Sequence, residues 1–383
     1  MRICLVYDCL FPYTVGGAER WYRNLGERLA AAGHEVSYLT LRQWERGQWG
    51  EVPGVRVIEA GPRMALYTAD GRRRVVPPLV FGAGVLWHLL RHGDDYDVVH
   101  TASFPYFSLL AAGVVRRLRG FELFVDWHEL WSRAYWREYL GPVGGRVGRL
   151  VQHLCVRIRQ RAFCFARLTE RRLHEEGVRG PVKVLEGEYA GPLEPTEPLA
   201  ADPVVVFAGR HIPEKRATAV PGAIAAARAR VPGLRGVVFG DGPERAEVER
   251  AVHELGLGDV IDVPGFVAPE QLDGAMRRSL CLIAPSSREG YGMVVVEACA
   301  HATPVIVVAG EDNAAVELVE EGVNGFVAPS PSPEDLGEAI VRVAEAGDAL
   351  RRSTAQWFAR NAERLSLAHS LDVVVGEYGR SRA

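Results

Sequence analysis

From Ala284 to Pro304 the chain reads APSSREGYGMVVVEACAHATP, the stretch whose residue types are best suited to chemistry. The spacing predicts a strand ending at Ala284, a loop with Glu289, Gly290, Tyr291 and Gly292, and a helix opening near Met293. Glycines at such a junction let the backbone approach a ligand closely. The free N–H groups of a new helix favour an anion such as a diphosphate. Glu297, in the first two turns, leans back toward the helix start. Both carboxylates can then serve one pocket, accepting hydrogen bonds from sugar or ribose hydroxyls. A second segment, FAGRHIPEKR, places Arg210 and Lys215 on a loop after another predicted strand. Lysine is scarce here, with Lys183 and Lys215 set against 43 arginines. A lysine kept at 215 suits a place where a compact ammonium fits and a guanidinium does not. In the first half, Gly16 and Gly17 precede a predicted helix, and His128 in VDWHELW lies just past a strand. Taken singly, each has an ordinary explanation as a turn, a solvated loop or a packed ring.

The elements that must position these residues repeat as strand, then helix. Strands are predicted at residues 2–7, 35–41, 55–59, 97–100, 121–126 and 182–185, with helices at 18–32 and through 85–90, and an arginine-rich helical region over 145–163. Residues 186–203 carry four prolines, two glycines and five acidic side chains, the composition of a linker. The pattern restarts with strands at 204–208, 236–239, 260–263, 280–284, 304–308 and 326–328, and residues 333–378 read as helical throughout. Short, continuously apolar strands alternating with helices indicate parallel sheets covered on both faces. The expected fold class is therefore α/β, with two doubly wound domains whose ligands sit beyond the C-terminal strand ends.

Composition agrees: 383 residues with 48% hydrophobic and 24% charged side chains suit two globular domains. The apolar run Val75–Leu90 is interrupted by prolines and glycines and is too short to span a bilayer. With no signal-peptide pattern and six cysteines lacking any CxxC pair, the expected compartment is the reducing cytoplasm. Net charge is −3, yet residues 1–200 hold 27 Lys+Arg against 22 Asp+Glu. Eight arginines between 146 and 172 could meet an anionic acceptor or an anionic membrane surface, or be a solvated helix face. Asp95-Tyr96-Asp97 spells a D-x-D metal motif but precedes a strand instead of ending one, so it reads as surface charge.

In order along the chain, Gly16-Gly17, the G-R-x4-K run ending at Lys215 and the E-x7-E pair Glu289 and Glu297 resemble the motifs of glycosyltransferase family 4. That resemblance implies the GT-B architecture, two Rossmann-like domains facing across a cleft, and transfer of a sugar with retention from a nucleotide-diphosphate donor. It implies that Arg210 and Lys215 clamp the diphosphate, that Glu289 meets the donor sugar and that His128 lies near the reacting carbon. Gly16, Gly17, Gly290, Tyr291, Gly292, Met293 and Glu297 would bind donor, with Glu297 on the ribose. Neither cofactor nor metal is expected, nor a nucleic-acid partner; the acceptor would be a small molecule, a glycan or a lipid-linked sugar. The implied layout is an acceptor domain over 1–186, a linker over 187–203, a donor domain over 204–365 and a last helix, 366–383, crossing back to the first domain. Gly240-Asp-Gly-Pro-Glu244 and Gly265-Phe266 also match family loops, although the former reads equally as a turn before a helix. The chain departs from the family at the domain junction, where Leu185-Glu-Gly-Glu188 replaces an Asn-Gly. A nucleotide-sugar epimerase of the same fold and a non-catalytic sugar-nucleotide binder are the competing readings.

Overall fold

A computed structural model describes residues 1–45, 47, 48, 50–68, 73–194 and 196–380. They form two compact units, the first of residues 1–68, 73–186 and 370–380, the second of residues 187–369.

In the first unit the strands are β1 (Arg2–Val6), β2 (Glu35–Leu41), β3 (Val55–Gly61), β4 (Val98–Ala102), β5 (Glu122–Trp127), β6 (Arg161–Cys164) and β7 (Val182–Val184). They make one parallel sheet in the order β3-β2-β1-β4-β5-β6-β7. Its helices are α1 (Gly17–Ala31), α2 (Val76–His92), α3 (Tyr106–Arg119), α4 (Arg133–Val156) and α5 (Arg167–Glu175). Strands β1 and β4 are buried almost end to end, which is why they read as unbroken apolar runs.

The second unit has β8 (Val204–Ala208), β9 (Arg235–Phe239), β10 (Ile261–Gly265), β11 (Cys281–Ala284), β12 (Arg288–Glu289), β13 (Val305–Val308), β14 (Asp312–Asn313) and β15 (Gly325–Ala328). Six of them form a parallel sheet in the order β10-β9-β8-β11-β13-β15, and β12 pairs with β14 alone. Helices α6 (Val220–Ala227), α7 (Arg245–Glu254), α8 (Pro269–Arg278), α9 (Met293–Ala300) and α10 (Pro333–Leu365) cover it. Val205, Ile224, Ile283, Ile306, Leu336 and Ile340 lie in the core beneath α6 and α10. The last helix, α11 (Leu367–Arg380), packs Tyr378 fully buried in the first unit, where its hydroxyl bonds His100 Nδ1.

Four expectations needed correction. The helical region placed over 145–163 ends at Val156, and Arg161–Cys164 is instead the seventh strand of the first sheet. The eight arginines between 146 and 172 therefore do not share one helix face; Arg161, on β6, faces Glu377 at 3.6 Å. Helix α2 contains the expected 85–90 and extends back to Val76, because its two prolines stand in the first turn, where no N–H is needed. The C-terminal helix is interrupted at Gly347, with φ 53°, and again at Ser366. Residues 187–189 of the expected linker are tied down: Tyr189 N donates to Leu365 O at 3.0 Å and Leu367 N to Tyr189 O at 2.8 Å. Gly187 passes so close to Leu365 that a Cβ would lie 2.3 Å from its carbonyl carbon, so the glycine is required here although the neighbouring asparagine is not.

Candidate active site

In each sheet the strand order reverses beside the first strand, and the loops there open a crevice at the C-terminal strand ends. In the second unit these are the loops after β8 and β11, which carry the residues singled out above. The β8 loop folds as a short 3₁₀ turn, Pro213–Lys215, and Arg216 takes the left-handed conformation with φ 50°. Lys215 is thereby turned toward the β11 loop, where its ammonium forms an ion pair with Glu289 Oε1. Ser286 Oγ donates to the same carboxylate oxygen at 3.0 Å. The two loops are stitched by Ser287 N to Glu214 O at 2.8 Å and by the Arg288–Glu214 ion pair at 3.5 Å.

Glu289 is held from its other side through the β12–β14 pairing, Glu289 opposite Asn313. Asn313 is buried and uses its whole amide, donating to Ser286 O and Val308 O and accepting from Ala315 N. Gly292, with φ 107°, then turns the chain into α9 without a side-chain cap. A Cβ at Gly292 would sit 2.8 Å from that of Ala315, so both conformation and space require glycine. The start of α9 thus keeps its first N–H groups free of a capping side chain, beside Gly290 and the buried Tyr291. Met293 is the first residue of the helix. Further along α9, Glu297 lies near Tyr189; burial, then the Glu297 and Asp273 carboxylates, pushes the Tyr189 phenol up to about 12. Arg210 is exposed, and its guanidinium has no ion-pair partner among the described residues.

The neighbouring strand ends are closed by backbone. His211 N donates to Asp241 O, Glu244 N to His211 O and Gly240 N to Gly265 O. The Gly240–Glu244 and Gly265 motifs therefore wall the β8 loop from the side. His211 itself is fully buried with neither ring nitrogen hydrogen-bonded, and burial lowers its pKa, so it stays neutral.

In the first unit, Gly16 and Gly17 form the entry to α1. Gly16 is extended, and the Glu19 carboxylate folds so close that a Cβ would lie 2.3 Å from Oε2. After β1, Asp8 is fully buried in an ion pair with Arg73, a pair the sequence does not announce because 65 residues separate the partners. Arg73, Arg74, Met64, Val75 and Tyr139 border a cavity of about 780 Å³ in this unit. His128 follows β5 and stacks flat on Phe165, with ring centroids 4.9 Å apart, rather than on the tryptophans. Burial lowers its pKa despite the Asp126 carboxylate, which leaves a neutral imidazole with Nε2 unbonded. Asp126 is itself buried, which alone would raise its pKa, but His100, His128 and the Trp21 indole together hold it below the usual range. Trp21 Nε1 donates to it at 2.7 Å and His100 Nε2 lies 2.8 Å away. Asp97 of the D-x-D accepts from Arg2 N at 2.8 Å and pairs with its side chain, anchoring the start of β1.

Chemically, the second unit offers a cation, a held carboxylate and helix N–H groups around one crevice, an arrangement for a phosphorylated, hydroxyl-bearing ligand. Comparison with known proteins agrees. Residues 16–186 match the family described as glycosyl transferase 4-like domain, and residues 195–363 match glycosyl transferases group 1. By sequence the chain is 27% identical over 176 residues to alpha-D-kanosaminyltransferase of Streptomyces kanamyceticus, covering 46% of this chain and 45% of that protein. It is 29% identical over 184 residues to D-inositol 3-phosphate glycosyltransferase of Mycolicibacterium smegmatis, covering 46% and 40%. The chain thus spans less than half the length of these relatives. In structure it is similar to sucrose-phosphate synthase from Thermosynechococcus elongatus, with TM-score 0.77 at 20% identity over 99% of this chain and 98% of that one. It is also similar to HepE from Anabaena in complex with UDP and glucose, with TM-score 0.72 at 18% identity over 99% of both. Two parallel-sheet α/β domains and these neighbours give the GT-B architecture.

Proposed function

Since this chain belongs to the glycosyltransferases, its first half 4-like and its second half of group 1, we propose that it transfers a sugar from a nucleotide-diphosphate donor to an acceptor hydroxyl. The observation that carries this reading is the convergence of Lys215 and Glu289, from two different strand ends, beside the uncapped start of α9. The donor diphosphate occupies the α9 entrance, where backbone N–H groups, the Lys215 ammonium and the exposed Arg210 meet its charge. Glu289 accepts hydrogen bonds from sugar hydroxyls and Glu297 from the ribose. The ligands of the HepE complex, UDP and glucose, are the two parts of a donor of this class.

The reaction proceeds with retention. The bond from the anomeric carbon to the diphosphate oxygen breaks as an oxocarbenium-like sugar forms. The acceptor hydroxyl attacks from the same face and gives its proton to the departing phosphate, so no protein carboxylate need form a covalent bond. Negative charge grows on the leaving group, and fixed cations stabilise that growth more than they stabilise bound donor. The acceptor is held by the first unit, whose 780 Å³ cavity combines apolar lining with Arg73 and Arg74. It is a small molecule, a glycan or a lipid-linked sugar.

Lys215→Ala tests the assignment. With donor and a panel of acceptors, kcat should fall on the order of a hundredfold while donor KM changes much less. A wild-type kcat in Lys215→Ala would place the phosphate site elsewhere.

A further inference from the structure

Beyond the break at Gly141, helix α4 shows solvent a face that none of the described residues of the first unit covers. Val143, Val147, Leu150 and Leu154 recur at steps of four, three and four, one stripe of an α-helix, and all are exposed, Val143 at 71%. The opposite face of the same helix, with Gly145, Gln152, Cys155 and Val156, is the buried one. Next to it, α3 exposes Val114 and Leu118, the latter at 70%. A monomeric soluble surface seldom presents so many large apolar side chains together.

Where α4 meets α3 the stripe runs into a basic recess. A cavity of about 290 Å³ is lined by Leu154 and by Arg116, Arg117, Arg157, Arg159 and Arg179. Arg116 is engaged, donating to Arg159 O at 3.0 Å and facing Glu122 at 3.4 Å. The other four have no carboxylate partner among the described residues. Arg146 on the stripe's flank is likewise unpaired, whereas Arg149 and His153 share Glu176.

We propose that this α3–α4 face docks on an anionic lipid bilayer, with a phosphate headgroup in the arginine recess and the α4 stripe lying in the interface. Charge decides between the possible occupants. Two copies of the chain meeting through the stripe would bring their Arg146 and recess arginines together, like charge against like charge. A bilayer of anionic lipid supplies the opposite sign and an apolar layer at the same depth, the two things this surface lacks.

Flotation with phosphatidylglycerol–phosphatidylcholine vesicles, compared with phosphatidylcholine alone, tests the proposal. Binding should be at least about tenfold stronger to the anionic vesicles and should weaken as salt rises. Arg157→Glu with Arg159→Glu should remove that preference, and Val147→Asn with Leu150→Asn should weaken binding by a similar factor. All four positions are at the surface, so melting temperatures should match wild type, as should kcat with a water-soluble acceptor. That last readout separates a failure of docking from a failure of the transferase reading. Equal binding to both vesicle types, or binding indifferent to both variants, would overturn the proposal. So would sedimentation showing a dimer that Val147→Asn with Leu150→Asn dissolves, which would make the occupant a second copy.

Discussion

Lys215 and Glu289 stand 74 positions apart, yet one ion pair joins them, and a third group, Ser286, fixes the shared oxygen. An ammonium held this way is aimed before ligand arrives, so on the proposed function the carboxylate would contribute to catalysis partly by placing the lysine. The two residues should then act as a unit. In a double-mutant cycle on kcat/KM, Lys215→Ala, Glu289→Ala and the double variant should show a coupling of at least about 1 kcal/mol. Simple additivity, within about 0.3–0.5 kcal/mol, would mean that they work independently. Glu297 lies further along α9, near Tyr189, and on its proposed ribose role Glu297→Ala should chiefly raise donor KM while leaving kcat close to wild type. A selective loss of kcat in steady-state kinetics would contradict a ribose role. At this scale Lys215 and Glu289, which the fold brings together, could be singled out in the sequence, because a scarce residue type and a loop-to-helix glycine pattern mark them. Ser286, Asn313 and Tyr189 were not, since a serine that orients a carboxylate or a tyrosine held by a distant helix end leaves no local signal. Asp8 with Arg73 escaped for the same reason: a long-range pair is made by the fold.

Among the elements, the strands of both sheets could be read because burial on two faces imposes apolar runs. Arg161–Cys164 escaped, being four residues long, opening on an arginine and following a helix rich in the same residue. At α2 the prolines that break the apolar run stand in the first turn and start the helix. That helix carries a pH-sensitive group. His88 packs against Tyr96, with Nε2 2.8 Å from its hydroxyl, and burial, then His92 and Arg56, lowers its pKa to about 4. In the unfolded chain the same imidazole takes up its proton near the ordinary value of about 6.5. Between those values the unfolded state binds more protons, so this contribution to stability is whole above about pH 6.5 and is lost as pH falls toward 4. With the interaction screened as in real proteins, the loss should be about 1–2 kcal/mol. His88→Gln, which keeps a hydrogen-bonding group for Tyr96, should melt with a shallower pH dependence than wild type across that window. Parallel curves for the two proteins, followed by circular dichroism from pH 7.5 to 4.5, would assign the acid sensitivity to other groups.

For the molecule as a whole, the reaction proposed above makes the charge of a departing nucleotide diphosphate the central electrostatic problem. A transferase can meet it with a divalent cation held by carboxylates, or with its own cations and helix N–H groups. Here the acidic motif that could hold a metal is committed to structure: Asp97 anchors the first strand through Arg2, and Asp95 faces His92 at 3.3 Å. Lys215 and the open start of α9 instead border the crevice where phosphate is proposed to sit, with Arg210 exposed on the same loop as the lysine. Transfer should therefore run unchanged after exhaustive EDTA treatment and should gain nothing from added Mg²⁺ or Mn²⁺. The same assay on Lys215→Ala should show the large fall in kcat whether or not metal is supplied, because no group of three or more metal-ligating side chains is gathered among the described residues to hold an ion in the ammonium's place. Activity that disappears with EDTA and returns with Mg²⁺ or Mn²⁺ would refute the metal-free mechanism. Recovery of Lys215→Ala by Mg²⁺ alone would show that a carboxylate near α9, Glu289 foremost, can hold a cation in the lysine's place.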